Sequence, residues 1–180
     1  MLKDKWLILR FRQGSRQAYC DIYETYRDDM LRVAVSLLKE KSIAEDIVHE
    51  VFVNLIQARR TFKLTDKLRS YLTTCVANRA RNANRGNRQV LAIDSDDNIL
   101  VSQHRRPEQW ALCSEEFEML RQALLELPFE QREVVALHIH GQLTFKEIAG
   151  NLGSSIKTVQ SRYKYALDKL RVSLNGEVQK

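Results

Sequence analysis

TFKEIAGNLGSSIKTVQSRYKYALDKLR, residues 144–171, reads as two short helices joined by a tight turn. Ala149 stands midway along the first helix, where only a small side chain lets a second helix cross closely. Gly153 falls where the turn calls for positive φ, and Val159 plugs the second helix into the first. Ile148, Leu152 and Ile156 supply apolar positions at helical spacing, and Ser154 and Ser155 offer an N-cap for the helix that follows. The polar surface of that helix is then Lys157, Thr158, Gln160, Ser161, Arg162 and Lys164. A helix of this kind fits the major groove of B-DNA, its early residues reaching base edges and its basic residues meeting phosphate. A helical hairpin in an ordinary bundle is the bland alternative, but it has no use for the basic exposed face.

Charge along the chain supports a polyanionic partner. The formal net charge is +6, yet residues 1–58 are neutral, 59–88 carry +8, 89–127 carry −5 and 142–180 carry +4. Two basic patches around an acidic segment imply two contacts with a polyanion that the acidic segment avoids. Cys20, Cys75 and Cys113 are too far apart for a disulfide framework or a CxxC metal pattern, and Cys20 and Cys75 read as small core residues. His138 and His140 have no Cys or carboxylate at a metal-ligand spacing, so neither a metal nor another cofactor is expected. No apolar run approaches the ~20 residues that span a bilayer, and the N-terminus lacks a signal peptide's apolar region; a cytoplasmic protein without membrane insertion is expected.

Upstream of the motif the pattern is helical throughout. Residues 6–38 place Ile22, Tyr26, Met30, Val33, Leu37 and Leu38 at spacings of three or four, which predicts one long amphipathic helix. A second helix is expected from Ser42 to about Ala58, with Ser42 as N-cap and Glu45 completing a capping box. It buries Ile43, Ile47, Val51, Phe52 and Leu55 and shows an acidic strip of Glu45, Asp46, His49, Glu50 and Asn54, which repels DNA and suits a protein partner. After the basic loop RRTFKLT, a third helix from Asp66 to about Asn84 buries Leu68, Leu72 and Val76 and presents Arg69, Asn78, Arg79, Arg81, Asn82 and Arg85. Unpaired charge is costly in a core, so this row is expected to face nucleic acid, with Phe62 and Tyr71 as candidates to stack on an unpaired base.

Residues 87–108 keep neither period and read as a linker; helical pattern resumes near Glu108 and is interrupted at Pro128, after which FEQREVVALHIHG forms a further helix closed by Gly141. The expectation is an all-α chain of two small helical domains, 1–88 and 109–175, joined by a linker at 89–108, with the helix-turn-helix in the second.

Two stretches carry a family resemblance. IAEDIVHEVFVNLIQ at 43–57 with SYLTTCVANRARNANR at 70–85 resembles region 2 of extracytoplasmic-function sigma factors, and the segment 127–171 resembles their region 4. The resemblance implies a factor that binds core RNA polymerase, recognises minus-35 and minus-10 promoter elements and stabilises the opened strand without covalent chemistry. It places Asp46, His49, Glu50 and Asn54 on the polymerase-docking face. Phe62, Lys63, Asn78, Arg81, Asn82 and Arg85 fall at the minus-10 element, and Ser155, Lys157, Thr158, Gln160, Ser161, Arg162 and Lys164 at the minus-35 element. An anti-sigma partner and a monomer on polymerase are family expectations.

His49 replaces a customary Gln, Tyr71 a Trp, Asn82 an Asp and Tyr163 a smaller aliphatic. A ring at 163 has either to pack or to tilt the recognition helix. The rival reading is a dimeric helix-turn-helix regulator acting without replacing a sigma factor, but residues 1–85 lack the βαβ alternation of a ligand or phosphoacceptor domain. A metal-dependent nuclease built on Asp94, Asp96 and Asp97 has no rigid element to hold its ligands.

Overall fold

The computed structural model describes residues 2–60, 67–90 and 115–177. Eight helices lie among them: α1 (Leu2–Arg12), α2 (Arg16–Leu37), α3 (Lys41–Gln57), α4 (Leu68–Val90), α5 (Glu115–Glu126), α6 (Phe129–Ile139), α7 (Phe145–Leu152) and α8 (Ile156–Glu177). The fold is all-α, a helical half of α1–α4 and another of α5–α8. No helix among the described residues is long and apolar enough to cross a membrane.

The single helix expected over 6–38 is in fact two. Gly14, at φ +92°, takes the left-handed backbone that ends α1, and the Ser15 hydroxyl accepts from the Ala18 N–H at 3.3 Å to start α2. Apolar spacing alone ran through this break because Leu7, Ile8 and Phe11 are also buried. The Ser42 capping box is a second correction. Backbone at Glu40 is already extended and α3 starts at Lys41, so Ser42 lies inside the first turn, and no side chain caps the N-terminus. The third expected helix runs past Asn84 to Val90. Pro128 does separate α5 from α6, standing at the N-cap of the latter.

Helix α2 is the axis of the molecule. Ile22, Met30, Val33, Ala34 and Leu37 are wholly buried along it, and it packs against α1, α3, α4, α5 and α6. Each fully buried Leu, Ile or Phe contributes about 1.5–3 kcal/mol of transfer free energy, so the helices touching α2 are strongly held. The principal core does not stop at the first half. It continues from Phe52, Leu68, Leu72 and Val76 into Val134, Leu137, Leu143, Ile148 and Val159 of the second half. A smaller cluster of Ala123, Leu124, Leu127, Val135, Ala166 and Leu170 ties α5, α6 and α8 together. Cys20 and Cys75 are free and half-buried.

Candidate nucleic-acid interface

The helix-turn-helix is built by local rules acting at each end. Thr144 starts α7 with a reciprocal capping box: its hydroxyl accepts from the Glu147 N–H at 3.3 Å, and the Glu147 carboxylate accepts from the Thr144 N–H at 2.8 Å. The same carboxylate receives the Lys67 ammonium, and these bonds, Lys67 first and Thr144 next, hold its pKa at about 2. Helix α7 ends on Gly153 at φ +60°, and the Ser154 N–H reaches back to the Ala149 carbonyl at 3.0 Å, closing a left-handed C-terminal motif. The Ser155 hydroxyl then accepts from the Thr158 N–H at 3.0 Å and caps α8. Val159 is fully buried and Ala149 nearly so, as the close crossing requires.

Tyr163 packs. Its ring stands edge-on to His138 at 5.0 Å and to Phe145 at 5.3 Å, while His138 and Phe145 stack at 4.4 Å. The His138 ring is oriented by its Nδ1–H, which donates to the Leu143 carbonyl at 2.8 Å. Tyr163 thus packs inward from α8 against the α6 and α7 rings. Ser155, Lys157, Thr158, Gln160, Ser161 and Lys164 are left exposed on the opposite face, with Arg162 half-buried at its edge.

In the first half Asp46, His49, Glu50 and Asn54 are all exposed on α3, and Asn78, Asn82 and Arg85 on α4. The expectation that the α4 arginines stand free is corrected for three of them. Arg69 pairs with Asp29 at 2.6 Å and lies over the Tyr26 ring, Arg79 approaches Glu50 at 3.7 Å, and Arg81 pairs with Glu133 at 2.6 Å. Each is drawn by a carboxylate on another helix, so its charge is already partnered. Tyr71 is also corrected as a stacking candidate: it is half-buried against the principal core, and desolvation raises its pKa and that of neighbouring Cys75. Phe62, Lys63, Asp94, Asp96 and Asp97 lie outside the described residues.

Sequence patterning missed Glu133. It sits in α6 with only 4% of its side chain exposed, accepting from Arg81 Nε at 3.1 Å and Nη2 at 2.6 Å. Burial pushes its carboxyl above the usual range, while Arg81 and, more remotely, Arg162 pull it back. Glu133 directly precedes the apolar stretch Val134–Leu137 and follows the polar Glu130, Gln131 and Arg132, so local pattern gave no signal of its burial. No group of three or more His, Cys, Asp or Glu side chains that could hold a metal occurs among the described residues.

Comparison with known proteins fits this arrangement. The family model of Sigma-70 region 2 matches residues 22–90 and that of Sigma-70 region 4 matches residues 117–170. The chain is 26% identical over 170 residues to the RNA polymerase sigma factor CarQ of Myxococcus xanthus, covering 94% of this chain and 96% of that one. It is 28% identical over 178 residues to the RNA polymerase sigma factor NccH of Alcaligenes xylosoxydans xylosoxydans, covering 96% and 95%. Among solved structures, the sigma factor RpoE of Bartonella quintana, determined with the anti-sigma factor NepR, superposes with a TM-score of 0.66 at 25% identity, covering 86% of this chain and 97% of that one.

Proposed function

The chain belongs to the sigma-70 family, as a factor of the extracytoplasmic-function class that directs RNA polymerase to promoters, and from that premise we propose how its surfaces divide the task. The exposed strip Asp46, His49, Glu50 and Asn54 on α3 docks on core polymerase. The Asn-bearing face of α4, with Asn78, Arg81, Asn82 and Arg85 and with Phe62 and Lys63 from the preceding loop, holds the opened minus-10 strand. The start of α8, from Ser155 through Lys164, reads the duplex minus-35 element.

One observation carries this division: a polar helix face of Asn and Arg on α4 adjoins an acidic face on α3, and a second, separate basic face stands on α8. Acidic groups that repel phosphate suit a protein partner, whereas Arg and Asn offer phosphate contacts and base-edge hydrogen bonds. Capturing an extruded base offsets an unstacking cost of a few kcal/mol per step. The phosphate contacts make the affinity fall with salt by about 0.9 log units per log unit for each phosphate neutralised. On polymerase the factor works as a monomer in the cytoplasm. An anti-sigma protein restrains it, as NepR binds RpoE of Bartonella quintana.

The test is transcription in vitro. Core polymerase supplied with the purified chain should produce discrete transcripts from a subset of genomic promoters, with start sites downstream of a shared pair of elements. Absence of stimulation on every genomic fragment would overturn the reading.

A further inference from the structure

Summed over residues 1–58 the chain is neutral, but its charges are sorted. Residues 1–16 carry five basic residues and one acidic, for +4, while residues 17–58 carry four basic and eight acidic, for −4. Neither 5–20 nor 51–65 contains an Asp or a Glu, and the fold brings these two acid-free stretches into contact.

They meet at the α1–α2 turn. Gly14 there has φ +92°, and a Cβ built on it would stand 3.6 Å from Nη1 of Arg59, just past the end of α3. Glycine at 14 thus serves the left-handed backbone and also leaves a seat for a guanidinium. From α1, Arg10 donates through Nη2 to the Ser15 hydroxyl at 3.5 Å and lies over the Trp6 ring at 4.6 Å. Arg12 and Arg16 stand two residues to either side of Gly14, and Arg60 follows Arg59; these three are exposed, whereas Arg10 and Arg59 are half-buried. The Gly14 and Ser15 N–H groups close on the Phe11 and Arg10 carbonyls at 2.9 and 3.0 Å, so the donors left for a ligand are guanidiniums on an internally bonded turn.

Five arginines therefore surround one turn, and none of them is paired with a carboxylate among the described residues. The α4 arginines show the contrast, since Arg69, Arg79 and Arg81 each meet an acid. Like charges gathered without a counter-charge repel one another and favour an anion among them. All five are Arg and none is Lys, and the planar fork of Arg matches two oxygens of one phosphate. Position selects the phosphate: Phe62 follows Arg60 by two residues, a contour of at most about 7 Å.

We propose that Arg10, Arg12, Arg16, Arg59 and Arg60 form a sequence-independent phosphate site, separate from α4, that holds the backbone of the opened strand beside the bases captured at the minus-10 element. The site rests on the minus-10 reading of the first half given above. It adds affinity and salt dependence and leaves the choice of sequence to other side chains, because phosphates carry no base identity.

The test uses holoenzyme carrying Arg12→Gln/Arg16→Gln/Arg60→Gln, three exposed positions whose change should leave the circular-dichroism melt in place. A control of equal charge, Lys39→Gln/Lys169→Gln/Arg171→Gln, alters exposed residues at the far end of α2 and on α8. Each is titrated with fork-junction DNA from a fragment that the wild-type holoenzyme transcribes. The triple arginine variant should bind about tenfold more weakly, with a log-log salt slope shallower by about 2, at ~0.7 for each single-strand phosphate released. Its preference for the matched over a mismatched minus-10 sequence should be unchanged. Methylphosphonate linkages, which remove the phosphate charge, should weaken wild-type binding when placed beside the minus-10 bases and cost the arginine variant nothing at the same linkages. The control should behave as the wild type.

Equal losses in variant and control would reduce the effect to net charge and overturn the proposal. So would linkage costs of the same size in variant and wild type, which would show that these arginines do not meet those phosphates. Weaker retention on core polymerase would make the patch a protein contact. Loss of binding to phosphatidylglycerol vesicles, with the fork titrations unmoved, would make it a membrane contact. Failure of the promoter reading shows differently: either no fragment is transcribed, or Asn78→Ala/Asn82→Ala leaves minus-10 discrimination intact. If only the arginine site is wrong, that discrimination is lost in the Asn variant and the phosphate couplings alone are missing.

Discussion

Gly150 and Gly153 are three residues apart, and a Cβ built on either meets nothing within 4 Å, so packing predicts the same outcome for alanine at both. Backbone geometry predicts opposite outcomes. Gly150 lies inside α7, where alanine is favoured over glycine by about 0.8–1.0 kcal/mol. Gly153 is held at φ +60° and ψ +32°, where an L side chain costs roughly 1–2 kcal/mol. Part of that cost is offset by ~0.4–1 kcal/mol because alanine restricts the unfolded chain more than glycine does. Gly150→Ala should therefore stabilise the protein by about 1 kcal/mol and Gly153→Ala destabilise it by about 1 kcal/mol. For a chain of this size each kcal/mol moves Tm by ~2–4 °C, so the two variants should melt about 4–8 °C apart. Gly153→Asn, whose side chain tolerates the left-handed region, should fall close to the wild type. Thermal melts followed by circular dichroism decide the matter. If Gly153→Ala melts with or above Gly150→Ala, the left-handed turn is not what Gly153 is there for.

Other consequences can be checked as directly. Arg162→Ala should weaken binding of the holoenzyme to promoter duplex by about 1–3 kcal/mol, with the loss confined to the minus-35 element; a titration showing unchanged affinity removes the assigned contact. Asp46→Ala, on an exposed α3 position, should lower retention of the chain by core polymerase several-fold while leaving its melting curve in place, measurable by pull-down alongside circular dichroism. The Glu147 carboxyl has a pKa of about 2 against an ordinary 4.5, so its bonds to Lys67 and Thr144 contribute fully above pH 4.5 and are lost as pH falls from there toward 2. Glu147→Gln should accordingly be less stable than the wild type at neutral pH by about 0.5–1 kcal/mol, a figure discounted for solvent screening. The gap should close in denaturation curves taken between pH 4.5 and 2, and a gap independent of pH would refute the ionic assignment.

Helix-forming stretches and the recognition motif were largely legible in the chain because their causes are local. Ala149, Gly153, Ser155 and Val159 do in three dimensions what their spacing implies, since turn handedness, capping and helix crossing depend on a few adjacent residues. Local signals were also overlooked. The Gly14–Ser15 pair ends one helix and caps the next, and Thr144 with Glu147 forms the capping box that Ser42 and Glu45 do not. Residue type alone was no guide there: Ser42 has the right neighbours but lies one residue inside its helix.

The charged faces divided along a different line. Period in the sequence tells which side of α4 is polar, and Asn78, Asn82 and Arg85 are exposed as that side requires. It cannot tell whether a polar side chain meets solvent or a partner from elsewhere in the chain. Arg81 finds Glu133 at a separation of 52 residues and Lys67 finds Glu147 at a separation of 80. The sequence by itself determined most of the helices, the recognition motif and the family, because periodicity, caps and turn glycines act over one or two turns. Only the tertiary structure decided that the two halves share a core and that Glu133 holds Arg81 of the other half, because burial and ion pairing at long range depend on which faces meet.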